Sequence, residues 1–431
     1  MLSKIKNLKA AVQSKVKSGQ SQPSGRYVVG LDIGTEFVKA LVAKIDGDKA
    51  EIIGVGRAHQ GLSDMQAGAI ADISAVVANC DKALAQAEQQ AGVSARTVVI
   101  GIAGELVKGT TNTVRVVRKD AEKPLDIEET ERIIKAVQKK AEMNARKQLA
   151  WELGGKEVEI RLVNSALVGL EIDGYKVTSP IGFQGKDVVV QLYTAFAPLI
   201  HIGALERTAQ ELDLDLLAVA AEPFAVSRSI LGNESASMNA ILMDVGGGTT
   251  DIAVITDGGV QGTKMFGIGG RAYTKSVERE LDVPFAKAES LKLGLASDLT
   301  PQDKIESVKN ALEKTLDVWI KGVDLALGEF ELVDHLPQKI LLCGGGSSLD
   351  MLVHELSSTD WYRDLPFTRK PHVQHIQPDE VAGIVDKTGS VNDHTFITAM
   401  GLIRVGLDTL GQELDKPTGS IKERINRMLQ T

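Results

Sequence analysis

Two stretches, Val29-Gly-Leu-Asp-Ile-Gly-Thr35 and Leu242-Met-Asp-Val-Gly-Gly-Gly-Thr-Thr250, decide the fold. Each reads as an apolar strand, an Asp, an apolar residue, a glycine turn and a hydroxyl residue, and a second β-branched strand follows each. Backbone N–H groups approach phosphate oxygens closely only where no Cβ intervenes. Ser or Thr hydroxyls add hydrogen bonds, and an Asp at the strand end holds the water shell of a magnesium ion that keeps several of its waters. The first stretch offers Asp32, Gly34 and Thr35, with Lys39 on the return strand pointing its ammonium at the phosphates. The second offers Asp244, Gly246, Gly247, Gly248, Thr249, Thr250 and Asp251. Taken singly, an Asp-x-Gly turn also closes an ordinary hairpin. The pair, half a chain apart, points to a duplicated domain with one phosphate-gripping hairpin in each half, and it makes Asp32 and Asp244 the candidate metal-holding residues.

A third glycine cluster, Cys343-Gly-Gly-Gly-Ser-Ser-Leu349, follows a strand and opens a helix. Gly344, Gly345, Gly346 and Ser347 would let a flat ligand lie against the backbone at the helix N-terminus. In isolation a plain β–α turn explains the cluster equally well.

Around these motifs strand-like and helix-like pieces alternate, as in an α/β protein with mixed sheets covered by helices. β-Branched runs beside turn residues predict strands over Tyr27–Asp32, Val38–Lys44, Thr97–Ile102, Val188–Phe196, Ala240–Asp244, Ile252–Thr256 and Lys339–Cys343. Apolar periodicity predicts helices over Ile73–Ala91, Ile127–Ala145, His201–Leu212, Ile305–Leu327 and Leu349–Glu355.

Composition narrows the function. With 431 residues, 43% hydrophobic and 25% charged, the chain has material for several packed domains. A net charge of −8 and 4% aromatics argue against nucleic acid as a partner. Cys80 and Cys343, the only two cysteines, lie too far apart in sequence for a disulfide framework or a cysteine zinc site, which suits a cytoplasmic protein. No stretch approaches the roughly 18 apolar residues that span a bilayer.

The order of the three glycine motifs resembles the actin/Hsp70/sugar-kinase superfamily, whose members bind ATP and Mg2+ in a cleft between two lobes. Within it, Phe266-Gly-Ile-Gly-Gly-Arg-Ala-Tyr-Thr274 and Ala288-Glu-Ser-Leu-Lys292 resemble a stretch shared by the FtsA and PilM families. That likeness places Glu289 and Lys292 against the ribose and base; a salt-bridged pair on a solvated helix face is the plainer reading. Gly61-Leu-Ser-Asp-Met-Gln-Ala-Gly-Ala-Ile-Ala-Asp72, Ile172-Asp-Gly-Tyr-Lys-Val-Thr-Ser-Pro-Ile-Gly-Phe-Gln-Gly185 and His394-Thr-Phe-Ile-Thr-Ala-Met-Gly-Leu402 resemble FtsA, the bacterial cell-division actin homologue. The likeness covers roughly residues 26–405.

It implies a first actin-like subdomain from 26–97 and 198–225, a small FtsA-type insertion at 98–197, a second actin-like subdomain from 226–270 and 336–405, and a further insertion at 271–335. It also implies filaments formed by self-association at the membrane and binding of the FtsZ C-terminal tail. In the helix expected to meet that tail, Ser307–Ile320, the usual Arg-x-x-Glu-like pattern is missing, and Lys309 and Lys314 supply the positive charge. A PilM-like pilus-assembly scaffold that binds a cytoplasmic peptide is the alternative. Glu222, in Ala221-Glu-Pro-Phe-Ala225, sits where several relatives place the glutamate that orients the attacking water, although a helix-capping role fits as well. ATP turnover is expected to be slow at most. No sugar-kinase base is recognisable, and too little chain follows residue 405 for an Hsp70-type peptide domain.

The ends complete this picture. Residues 1–25 form a basic amphipathic tail, with Met1, Leu2, Ile5, Leu8, Val12 and Val16 on one helical face and five lysines around it. Residues 406–431 read as a linker and an amphipathic helix in which Ile421, Ile425, Met428 and Leu429 share one face, flanked by Lys422, Arg424 and Arg427. Such a helix lies in the surface of a membrane rather than across it, and the resemblance puts it on the inner face of the cytoplasmic membrane.

Overall fold

The computed structural model describes residues 26–230, 237–330, 333–358 and 360–414. In chain order it contains β1 (Arg26–Ile33), β2 (Phe37–Asp46), β3 (Lys49–His59), β4 (Met65–Gln66), β5 (Ala69–Ile70), α1 (Ile73–Ala91), β6 (Thr97–Ile102), β7 (Lys108–Val117), α2 (Ile127–Glu152), β8 (Ile160–Ile172), β9 (Tyr175–Lys176), β10 (Asp187–Pro198), α3 (Leu199–Glu211), β11 (Asp215–Ala221) and α4 (Glu222–Ile230). The second half contains β12 (Ala240–Val245), β13 (Thr250–Thr256), β14 (Gly259–Phe266), α5 (Gly270–Leu281), α6 (Phe285–Gly294), α7 (Ile305–Gly328), β15 (Lys339–Cys343), α8 (Asp350–Ser358), β16 (His372–His375), β17 (Ile384–Asp386) and α9 (Ile397–Leu414).

The duplication inferred from the glycine motifs is visible in the sheets. The first has the order β11-β6-β1-β2-β3-β17, and the second contains β16-β15-β12-β13-β14 followed by β7-β10-β8-β9. In both, an antiparallel hairpin (β1–β2 or β12–β13) has a third antiparallel strand on one side and two parallel strands on the other. Parallel strands buried on both faces need continuous apolar runs, and Tyr-Val-Val-Gly-Leu-Asp-Ile and Ala-Ile-Leu-Met-Asp-Val supply them. The architecture is the actin-like α/β fold.

Small residues set how closely the layers approach. A Cβ at Gly54 would lie 2.0 Å from the Ala87 carbonyl oxygen and one at Gly56 1.8 Å from that of Ala83, so α1 rests directly on β3. Asp72 caps α1 by accepting from the Ala75 N–H, and Gly92 ends it in the left-handed region at φ 68°. The helix predicted over Ile127–Ala145 continues to Glu152, because Ala141, Ala145 and Leu149 keep the four-residue apolar spacing until Gly154 and Gly155. Around the third glycine cluster a short 3-10 turn, Gly345–Ser348, intervenes before the helix at Asp350.

Three expected boundaries move. Strand β6, Thr97–Ile102, pairs with β1 and β11, so the first sheet reaches past residue 97. The stretch 336–405 does not stay in the second lobe: β17 pairs with β3, and α9 crosses the first sheet, with a Cβ at Gly30 reaching within 2.7 Å of the Ala399 carbonyl oxygen. The buried face of α9, including Ile397, Ile403 and Leu407, belongs to the core of the first lobe. Because that face stays apolar, the helix runs on to Leu414 and no linker begins at 406.

Among the described residues no helix is long and apolar enough to cross a membrane. The candidate membrane residues Ile421, Ile425, Met428 and Leu429, and the basic face from Met1 to Val16, lie outside the described residues.

Candidate functional site

The two hairpins face each other across a cleft of about 620 Å³. Asp32, Gly34, Thr35 and Lys39 line it from the first lobe, and Asp244, Gly246, Gly247, Thr249 and Asp251 from the second. Gly344, Gly345 and Gly346 close one end, with Glu289 and Lys292 beside them and Glu222 on the wall. The hairpin tips touch: a Cβ at Gly247 would lie 2.9 Å from Glu36 Cβ, and one at Gly248 2.8 Å from Thr35 Oγ1. Only glycine lets the two loops approach this closely. At Gly344, φ is +82° and a Cβ would meet an Asp244 carboxylate oxygen at 2.1 Å, so glycine is required on two counts.

Three expected ligands sit differently. Thr250 is buried, donating to the Ile268 carbonyl at 2.7 Å and accepting from Trp319 Nε1 at 2.9 Å. Ser347 is buried with its hydroxyl on the Gly344 carbonyl at 2.7 Å. Gly248 packs against Thr35 and is absent from the cleft lining. The first two brace the loops from behind.

The cleft is strongly acidic at its base. Asp32, Asp244 and Asp251 are 3%, 9% and 6% exposed, so the cleft is their only route to solvent. Burial, reinforced by Asp244, pushes the Asp251 carboxyl up to about 8. Burial also raises Asp244, against the Thr398 hydroxyl that donates to it. Glu222 is raised well above the usual carboxylate range by burial and then by Asp32, Asp251 and Asp244. Only Lys39, 2.9 Å from Asp32, offsets these charges directly. Its pKa is raised: burial, the largest effect, lowers it, but attraction to Asp32 and Asp244 outweighs that.

At the third glycine turn, Lys292 donates to the Gly270 carbonyl at 3.1 Å and Thr274 at 2.8 Å and pairs with Glu289 at 2.8 Å. The pair expected on a solvated face is therefore formed, but on the cleft wall, with Lys292 only 6% exposed. His375 and His394 stack 4.0 Å apart beside the same turn, and burial lowers the His394 pKa to about 4.

Other lining residues have no motif to announce them: Arg57 over the Phe37 ring at 3.5 Å, His59, Glu36, Arg271 and Thr398. They come from distant parts of the chain, and of them Arg271 and Thr398 fall inside stretches whose likeness is visible in the sequence.

Comparison with known proteins agrees with this geometry. The family model described as cell division protein FtsA matches residues 241–401, which hold the second hairpin and the third glycine turn. The cell division protein FtsA of Pseudomonas aeruginosa is 25% identical over 444 aligned positions, covering 95% of this chain and 99% of that protein. The chain is related to FtsA. The Neisseria meningitidis FtsA is 26% identical, covering 93% of this chain and 94% of its own. A solved PilM–PilN type IV pilus biogenesis complex superposes with a TM-score of 0.63 at 16% identity, covering 88% of this chain and 98% of that one, a likeness of fold. The FtsA relationship supports an actin-like role in cell division.

Proposed function

We propose that this FtsA-like chain binds Mg-ATP in the cleft, polymerises at the inner face of the cytoplasmic membrane and tethers FtsZ there. The observation that carries the nucleotide reading is the pair of glycine hairpins meeting over buried carboxylates. Backbone N–H groups of Gly34, Gly246 and Gly247, with Lys39, would hold the phosphates, and Glu289, Lys292 and the Gly344–Gly346 turn would hold the nucleoside.

The donor set fits magnesium of one kind. Among the described residues no group of three or more His, Cys, Asp or Glu side chains is arranged to hold a metal directly. Mg2+ keeps several waters and needs only one or two carboxylates beside phosphate, and Asp32 and Asp244 stand on opposite walls for that purpose. Bound Mg2+ supplies positive charge that favours ionised carboxylates around it.

Glu222 sets the expected turnover. Its carboxyl stands on the cleft wall and is raised by burial and by Asp32, Asp251 and Asp244, and hydrolysis far below the ~10 s⁻¹ of a typical enzyme is the expectation. Nucleotide then acts mainly as a ligand that stabilises the closed cleft.

Membrane and FtsZ roles rest on the relationship to FtsA and on the amphipathic pattern of residues 421–429. Liposome co-sedimentation with Mg-ATP, comparing the full chain with a version ending at Asp415, tests them. Pelleting lost on truncation, with FtsZ carried down only by the full chain, is the expected result. Equal pelleting of both moves the anchor to residues 1–17, and pelleting of neither puts the pilus-type scaffold ahead.

A further inference from the structure

One residue reaches across the cleft. The Arg271 backbone N–H donates to the Gly247 carbonyl at 2.8 Å, which fixes the residue to the second hairpin. Its side chain runs the other way. Nε donates to Glu36 Oε2 at 2.6 Å, and the terminal nitrogens contact the carbonyls of Leu62, Gln60 and Gly61 at 3.4 Å. Glu36 lies in the turn at the tip of the first hairpin, and its other oxygen contacts His59 Nε2 at 2.7 Å. Gln60 is wholly buried and donates to the Gly34 carbonyl at 3.4 Å, so the segment that Arg271 holds is itself tied to the first hairpin.

The other lysines and arginines on the cleft wall find partners within their own lobe: Lys39 with Asp32, Arg57 on Phe37 and Lys292 with Glu289. Arg271 and Glu36 side chains are 10% and 21% exposed, so the ion pair is largely shielded from water and salt. Every acceptor of the guanidinium belongs to the opposite lobe, which leaves it a clasp rather than a phosphate ligand.

We infer that Arg271 and Glu36 form a latch that gates nucleotide exchange, a regulation that rests on the cleft being the ATP site. Parting the hairpins requires this pair to break first. A gate of this kind slows entry and exit together, because it holds the cleft closed whether or not ligand is inside.

The test uses the full chain with Mg2+ and a fluorescent ATP analogue in stopped flow, with Glu36→Gln, Arg271→Ala and the double variant. Loss of one charge-assisted bond predicts release at least about tenfold faster, with association accelerated as well and the double variant no faster than Arg271→Ala. Release at the wild-type rate in both single variants overturns the latch. So does faster release with unchanged association, which would make Arg271 a direct phosphate ligand. A second readout needs no nucleotide: amide hydrogen exchange at residues 60–62 and 246–248 rises on both sides of the cleft in Glu36→Gln. If the wild-type chain takes up no analogue, the ATP reading fails, and unchanged exchange in both segments separately overturns the latch.

Discussion

Replacing Asp251 by Asn removes a pH-dependent instability from the nucleotide-free protein. The native carboxyl titrates at about 8 against an ordinary value of 3.8. Because its folded pKa is raised, the native state holds a proton that the unfolded chain has released. Stability from that proton is lost as pH rises towards the folded pKa. His394 works in the opposite sense at lower pH: its folded value of about 4 against 6.5 makes the native state shed a proton, so stability falls as pH drops below 6.5. From pH 6.5 to 8 the carboxyl dominates, because the histidine, half protonated at pH 6.5 in the unfolded chain, adds only about 0.4 kcal/mol of the opposite sign. Integrating the linkage relation over that interval for one site gives a loss on the order of 1–2 kcal/mol, and Glu222 and Asp244 add to it with the same sign. In a lobe of this size that is a Tm lower by about 3–6 °C at pH 8 than at pH 6.5. Differential scanning calorimetry of the nucleotide-free wild type reads it, and Asp251→Asn, nearly isosteric, flattens the slope. Saturating Mg-ATP also flattens it, because a bound cation favours the ionised carboxylates. A wild-type Tm that is level or rising across the interval, or an Asn variant with the wild-type slope, refutes the account of the acidic base.

Asp244→Ala abolishes Mg-ATP binding measured by calorimetric titration; unchanged affinity places the metal elsewhere. Gly56→Ala drives a methyl into the Ala83 carbonyl, whose oxygen would lie 1.8 Å from the new Cβ, and chemical denaturation should show a loss above about 3 kcal/mol with α1 lifted from its sheet. Thr250→Val leaves the buried Trp319 N–H without its acceptor, costing about 1–3 kcal/mol; a change in intrinsic fluorescence should accompany it, and identical spectra and stability would remove Thr250 from the support of the second hairpin.

Much of the cleft was legible because its chemistry is local. Glycine, Asp and Thr at fixed offsets on one hairpin carry their meaning within seven or eight residues, and the repetition at Asp32 and Asp244 points to a duplicated fold. Glu289 and Lys292 likewise sit one helical turn apart. The walls were not legible for the converse reason. Arg271 meets Glu36, and Thr398 meets Asp244, only after the sheets form, and no spacing along the chain encodes either pair. Polar strands were missed too: Lys108–Val117 holds its place by pairing with β10 along its whole length, although its threonines and asparagine read as loop. The division of 336–405 failed because residue order suggested a continuous second lobe, whereas the apolar face of α9 fits the surface of β1.

That return of the chain has a consequence for synthesis. Strand β1 is the first described element to leave the ribosome, yet α9, which covers it, is the last. At about 5–20 residues per second, the apolar face of the first sheet waits on the order of tens of seconds for its final helix. During that wait the second lobe acquires all of its strands and helices. The lobe that begins the polypeptide is thus the later of the two to be finished, and a ribosome that stalls before residue 397 leaves an adhesive sheet for a chaperone to shield.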